Sequence, residues 1–174
     1  DEGHLCGLLR HPNIVSVTGA GGNLGRGLDR VTRRSTIGMK YNQNQVLADW
    51  LLIDFDYLKT LQIPILKGRD FDRSHASDTT NALVVTESFV KAMGEADPIG
   101  KFVGGEDSTS GNQIIGVVPD FYAYSPSEKS RPIAMHISPE EALNYIIIKV
   151  SSDNPSAIME KLSVVWDKVT SDSN

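Results

Sequence analysis

The chain has 174 residues, 40% apolar and 22% charged, which suits one domain or two small subdomains around a packed core and excludes a disordered chain. A formal net charge of -5 opposes binding to nucleic-acid backbones, and the single cysteine, Cys6, excludes an internal disulfide and a multi-thiolate metal site. The longest apolar runs, at 50–53 and 145–148, are about four or five residues, whereas a membrane-spanning helix needs roughly 20. Residues 1–12 lack the basic start and long apolar stretch of a secretory leader. The start at Asp1 and the polar end at 171–174 read as the ends of a segment excised from a longer protein.

Leu5, Leu8 and Leu9 recur at helical spacing before His11-Pro12, and Ile14, Val15 and Val17 predict a short strand. Residues 19–27 are glycine-rich and predict a loop. A strand follows at 46–53, then a short helix capped by Asp54 and ended by Ile63-Pro64. Residues 67–81 are polar and turn-rich. A strand at 82–85 leads into a helix capped by Thr86, with Phe89, Val90 and Met93 on one face and Gly94 as its stop. Pro98 and Gly100 make a tight turn that launches a strand at 101–103, and 104–112 reads as a hairpin tip. Residues 113–118, 133–137 and 145–150 are β-branched strands. Last comes an amphipathic helix, with Asn154 as cap, Pro155 at its first position, and Ile158, Leu162, Val165, Trp166 and Val169 on one face. Strands outnumber helices without alternating regularly, so the fold class is α+β.

Two motifs suggest an NAD(P)-dependent oxidoreductase. Thr18-Gly19-Ala20-Gly21-Gly22-Asn23-Leu24-Gly25 fits a dinucleotide-binding glycine loop, and Tyr145-x-x-x-Lys149 fits a catalytic dyad. The dyad needs a helix, where the two side chains stand about 6 Å apart. Ile146, Ile147, Ile148 and Val150 instead predict a strand, which separates them by roughly 13 Å. The glycine loop should open an apolar helix, but Arg26, Arg30, Arg33 and Arg34 dominate the residues after it. No acid stands at 40–44 to bind ribose. The stretch reads as a surface loop.

Other constellations are weaker. Asp70, Asp72, His75 and Asp78 could ligate a cation, but aspartate is common in turns. His4, Cys6 and His11 lack a fourth ligand for zinc. His136 reads as a packed or edge histidine, Trp50 and Trp166 as core residues, and the four arginines as a solvated basic loop with a lipid- or partner-facing role as the alternative. No catalytic, cofactor-binding or metal-ligating residue is assigned.

Four segments taken together carry a family likeness. They are Asp54-Phe55-Asp56-Tyr57-Leu58-Lys59-Thr60-Leu61 running into Leu66-Lys67-Gly68-Arg69-Asp70-Phe71; Ala82-Leu83-Val84-Val85-Thr86-Glu87-Ser88-Phe89 with Met93-Gly94; Asp97-Pro98-Ile99-Gly100-Lys101; and Ile114-Ile115-Gly116-Val117-Val118-Pro119-Asp120-Phe121. In this order and spacing the chain resembles the MacB-like periplasmic core domain of FtsX-like ABC transporter permeases, over roughly 46–169. Pro119 departs from the polar residue usual there. Within these segments, Gly68 permits a turn in which Arg69 and Asp70 can pair, and Gly116 inside a strand signals a bulge or a close backbone approach.

The resemblance implies a non-catalytic domain on the periplasmic side of the bacterial inner membrane, set between two transmembrane helices of a permease. It implies a cytoplasmic ATPase as partner through the membrane-embedded parent, no cofactor, and transmission of ATP-driven movement to a periplasmic protein or exported substrate. It also implies a porter-like part from 1–66 and 142–174, with an inserted sabre-like part at 67–141, and chain ends that lie close together. A free-standing periplasmic ligand-binding protein is the alternative; it predicts a deep, mostly apolar pocket with a few converging polar groups.

Overall fold

The structure is a computed structural model that describes residues 13–22, 24–25, 34–105, 111–124 and 131–151. Among the described residues nine strands run in chain order: β1 (Ile14–Ala20), β2 (Thr36–Tyr41), β3 (Asn44–Leu52), β4 (Lys67–Gly68), β5 (Ala82–Thr86), β6 (Phe102–Gly104), β7 (Gly111–Val118), β8 (Ile133–His136) and β9 (Tyr145–Val150). Helix α1 (Tyr57–Leu61) follows β3, a 3₁₀ turn covers Ala76–Thr79, and helix α2 (Glu87–Met93) follows β5 directly.

β1 and β9 form a two-stranded antiparallel sheet. The other seven form a mixed sheet in the order β2-β3-β8-β5-β7-β4, with β6 also paired to β7. β3 runs parallel to β8 and β5 parallel to β7, while the remaining pairs are antiparallel. This mixture of strand pairing with few helices is the expected α+β class. β2 and β3 thus share a sheet with strands of 67–141, whereas β1 and β9 pair apart from them.

Both faces of the large sheet are covered, so its central strands are apolar throughout and not alternately polar. In β5, Ala82 and Val84 enter one core with Tyr57 and Leu58 of α1, while Leu83 and Val85 enter the other with Phe89 and Met93 of α2. β8 divides the same way: Ile133 and Met135 to the first core, Ala134 to the second. In β7 the alternation slips: Ile114 and Val117 share one face, Ile115 and Val118 the other. The slip is a bulge, because Leu83 stands opposite Ile114 and Val84 opposite Gly116. Gly116 also lies where a Cβ would run into the Arg69 carbonyl oxygen. The sequence expectation of a bulge or a close approach is met on both counts.

Several local expectations are corrected. β1 extends through Gly19 and Ala20, so the glycine loop begins two residues later than the composition suggests. β2 was not foreseen as an element in its own right. α1 is entered through Asp56 in a left-handed conformation (φ 63°), and the Asp54 carboxylate accepts from the Phe55 amide and not from the helix. Thr86 precedes α2 as expected, but its hydroxyl does not cap it. That hydroxyl accepts from the Ile133 amide at 3.0 Å, and Asp120 supplies the capping oxygen to the Ser88 amide at 2.9 Å. Gly94 ends α2 in the left-handed region (φ 74°), as expected. Lys101 donates to the Pro98 carbonyl across Gly100 (φ 80°), giving the expected turn. The helices expected at 2–10 and 154–169, including Trp166, lie outside the described residues.

Candidate functional site

β2 stops opposite Asp49, which leaves the next part of the β3 edge without a sheet neighbour. Two backbone contacts take it up: Trp50 donates to the Ser35 carbonyl at 2.8 Å, and Gly21 donates to the Leu52 carbonyl at 2.9 Å. The edge between them borders a cavity of about 480 Å³. Its other walls come from the glycine-rich segment after β1, from Ala123 and Tyr124 after β7, from Glu141, Ala142 and Asn144 before β9, and from Tyr57 of α1.

The glycine segment is held close. Gly25 donates to the Ala123 carbonyl at 2.8 Å, and Asn144 Nδ2 donates to the Gly21 carbonyl at 3.1 Å. A Cβ on Gly21 would come within 2.9 Å of Leu52 Cβ, so glycine lets this backbone lie against β3. At the base of the segment the Thr18 hydroxyl donates to the Phe55 carbonyl at 3.0 Å, tying β1 to the entry of α1.

The charges around the cavity are opposed. Arg34 Nε lies 3.4 Å from Asp49 Oδ2, and its guanidinium stacks over the Tyr124 ring at 4.4 Å. His136 is buried, stacks on Trp50 at 4.0 Å, and places Nδ1 3.1 Å from the Leu51 carbonyl and Nε2 3.1 Å from Glu141 Oε1. The carbonyl only accepts, so Nδ1 carries a hydrogen there. Trp50 packs against the second core, as expected of a core residue, and at half-buried depth it also stacks on His136. Tyr57 is 1% exposed, and its hydroxyl has no hydrogen-bond partner among the described residues. Burial, with the neighbouring Tyr124 adding to it, pushes its phenol well above the usual tyrosine range, so the group is a neutral hydroxyl. Burial does the same to Tyr124, helped by Asp49 and opposed by Arg34.

No protein-family model and no curated protein sequence matches the chain. Solved structures do. The extracellular domain of the noncanonic ABC-type transporter YknZ from Gram-positive bacteria has a TM-score of 0.60 at 12% identity, over 87% of this chain and 73% of that one. The periplasmic region of MacB from Actinobacillus actinomycetemcomitans gives 0.58 at 19%, over 98% and 72%. A domain of a protein described as a permease, from Porphyromonas gingivalis, gives 0.60 at 18%, over 91% and 72%. The fold is that of MacB-type periplasmic domains. It is therefore the fold that the four sequence segments imply.

Within this MacB-type fold the sequence candidates have definite places. Tyr145 and Lys149 both lie in β9, opposite Ala20 and Ser16, so the strand reading holds and no helical dyad forms. The glycine segment follows a strand but leads to no described helix, and it serves as a cavity wall. Asp70, Asp72 and Asp78 are engaged by protein donors. Asp78, with a fully buried side chain, takes Arg69 through two hydrogen bonds of 2.6 and 2.8 Å and the Asp72 amide at 2.9 Å. Asp70 Oδ1 accepts from the Phe71 amide and Asp72 Oδ1 from the Ser74 amide. Arg69 was expected to pair with Asp70; it touches only the Asp70 carbonyl oxygen, and its carboxylate partner is Asp78. His4, Cys6, His11, Arg26, Arg30 and Arg33 lie outside the described residues. Sequence reasoning missed the cavity. Its walls come from six separate stretches, and an unsatisfied Tyr57 hydroxyl leaves no mark in a hydropathy pattern.

Proposed function

We propose that this chain is the extracytoplasmic domain of a bacterial ABC transporter permease, held on the outer side of the inner membrane. In this reading it does no chemistry of its own and relays movement from a cytoplasmic ATPase to a periplasmic protein or exported substrate. The observation that supports it best is the β1–β9 pair. Ile14 stands opposite Val150, and Ser151 donates to the Asn13 carbonyl at 2.8 Å, so the chain enters and leaves the described structure side by side. A domain inserted between two membrane helices needs that arrangement, because both connections must reach one membrane face. The likeness to the three transporter domains supports the same reading.

The division into a porter-like part (1–66 and 142–174) and a sabre-like part (67–141) belongs to this proposal. β1 and β9 would carry the membrane-proximal part, and the strands of 67–141 the outward part, with β2 and β3 bonded to them. Two experiments test the proposal. In the first, a cysteine at the exposed Leu47, in a Cys6→Ser background of the full-length parent, is treated with a membrane-impermeant maleimide in intact spheroplasts. Labelling without lysis supports the placement; labelling only after lysis overturns it. In the second, spin labels at Val15 and Leu47 in the reconstituted parent report on the relay. An ATP-dependent change in their distance supports it, and an unchanged distance removes the relay.

A further inference from the structure

We propose that the cavity beside β3 binds a small, uncharged amphipathic molecule, seating its apolar body against Leu24, Leu52 and Ala123 and one hydrogen-bonding group on the Tyr57 hydroxyl. This goes beyond the transporter placement and does not depend on it. Four observations carry it.

The first is size. A volume of about 480 Å³ lies in the range of small-molecule pockets, roughly 300–1,000 Å³. The second is the Tyr57 hydroxyl. A buried polar group without a partner is costly to keep in a folded protein, and such groups mark positions where something from outside supplies the missing bond. Tyr57 contributes to the cavity wall, and its hydroxyl oxygen lies just beneath that wall, closed to solvent, so a ligand reaches it by displacing the wall locally; the neutral hydroxyl can then donate or accept. The third is charge. Arg34 is held by Asp49 and covered by Tyr124, and Glu141 is bonded to His136, so among the described lining residues no unopposed cation is on offer to a phosphate or carboxylate. The fourth is construction. The glycine segment is pinned to β3, to Ala123 and to Asn144 by backbone and side-chain bonds, so the wall is built rather than draped. The sequence motif that imitates a dinucleotide loop thereby acquires a use without any nucleotide.

The test uses N-phenyl-1-naphthylamine, an uncharged probe with apolar rings and one N–H, alongside its sulfonated relative 1-anilinonaphthalene-8-sulfonate. Fluorescence titration of the 174-residue protein is expected to show saturable one-to-one binding of the uncharged probe, with the sulfonate at least tenfold weaker. Tyr57→Phe keeps the ring and removes the hydroxyl, and is expected to weaken the uncharged probe about tenfold with the melting temperature held or raised. Ala142→Trp places a bulky ring at an exposed position on the cavity wall and is expected to abolish binding without unfolding the protein. No saturable binding, equal binding of the two probes, or binding that survives Ala142→Trp overturns the site. Binding lost in Ala142→Trp but unchanged in Tyr57→Phe overturns the role given to the hydroxyl.

Discussion

Replacing Asp78 by Asn isolates the ion pair that pins the 67–81 segment. The Asp78 side chain is fully buried, and its oxygens receive two hydrogen bonds from Arg69 and one from the Asp72 amide. Asn keeps the shape but removes the charge and turns an amide NH₂ toward the guanidinium. Breaking a buried pair by altering one partner costs about 3–5 kcal/mol. The Arg69 side chain is 38% exposed and can recover solvation, so the low end, about 3 kcal/mol, is expected. In a domain of this size that lowers the melting temperature by about 6–12 °C. The pH dependence has a definite sign. Burial works against the ionised carboxyl, but the Arg69 bond, the Asp72 amide and the Arg69 charge outweigh it, so the Asp78 pKa lies below its ordinary value. A depressed folded pKa adds stability that is fully present above the unfolded value, about 3.9, and is lost as the pH falls through the folded one. Urea unfolding of both proteins from pH 7 to pH 3 should therefore show a gap of about 3 kcal/mol that narrows in acid. A second cycle with Arg69→Met should show that the two substitutions together cost less than their separate costs added. A gap below about 1 kcal/mol at pH 7, or one that stays constant into acid, refutes the reasoning.

Three further outcomes are expected. Gly68→Ala should cost about 3 kcal/mol in urea unfolding, because Gly68 has φ 73° and an added Cβ would run into the Ile115 carbonyl oxygen; a change under about 1 kcal/mol contradicts this. Asp120→Ala should cost about 1 kcal/mol by loss of the oxygen that caps α2, whereas Thr86→Ser, which keeps the hydroxyl facing Ile133, should cost less; a cost for Asp120→Ala no larger than that for Thr86→Ser contradicts the capping role of Asp120. NADH or NADPH at millimolar concentration should leave the melting temperature unchanged, since a ligand that binds only the folded state must raise it, and a concentration-dependent rise would revive the oxidoreductase reading.

The elements that the sequence announced are those whose local signals agree. In 82–94 an apolar strand, a polar junction, an apolar helix face and a glycine stop succeed one another, and β5 and α2 sit there. β2 escaped because it is an edge strand with only Met39 buried and Gly38 in its middle, so neither alternation nor an apolar run marks it. Gly19 looked like loop but is strand, since its missing side chain makes room for Leu143, which a Cβ would approach to 2.8 Å. The cap of α2 and the partner of Arg69 were misassigned for a common reason. Reading along the chain favours the neighbour, Thr86 or Asp70, while folding brought up Asp120 and Asp78. The cavity was illegible on the same grounds, since nothing short of the tertiary fold places Gly21, Tyr57, Tyr124 and Asn144 around one space.

The pairing of β1 with β9, the first and last of the described strands, also sets an expected order of events. Almost the whole described chain separates β1 from β9, and closing so long a loop is slow, though lengthening it adds little further cost. The strands of the large sheet all lie between them, so that sheet can assemble while β1 still has no sheet partner. Of the described strands β1 is made first and waits longest for its partner, carrying Val15, which remains exposed even in the finished fold. The two-stranded sheet is thus the seam expected to close last and, with no buried residue along β9, the first expected to open in hydrogen exchange.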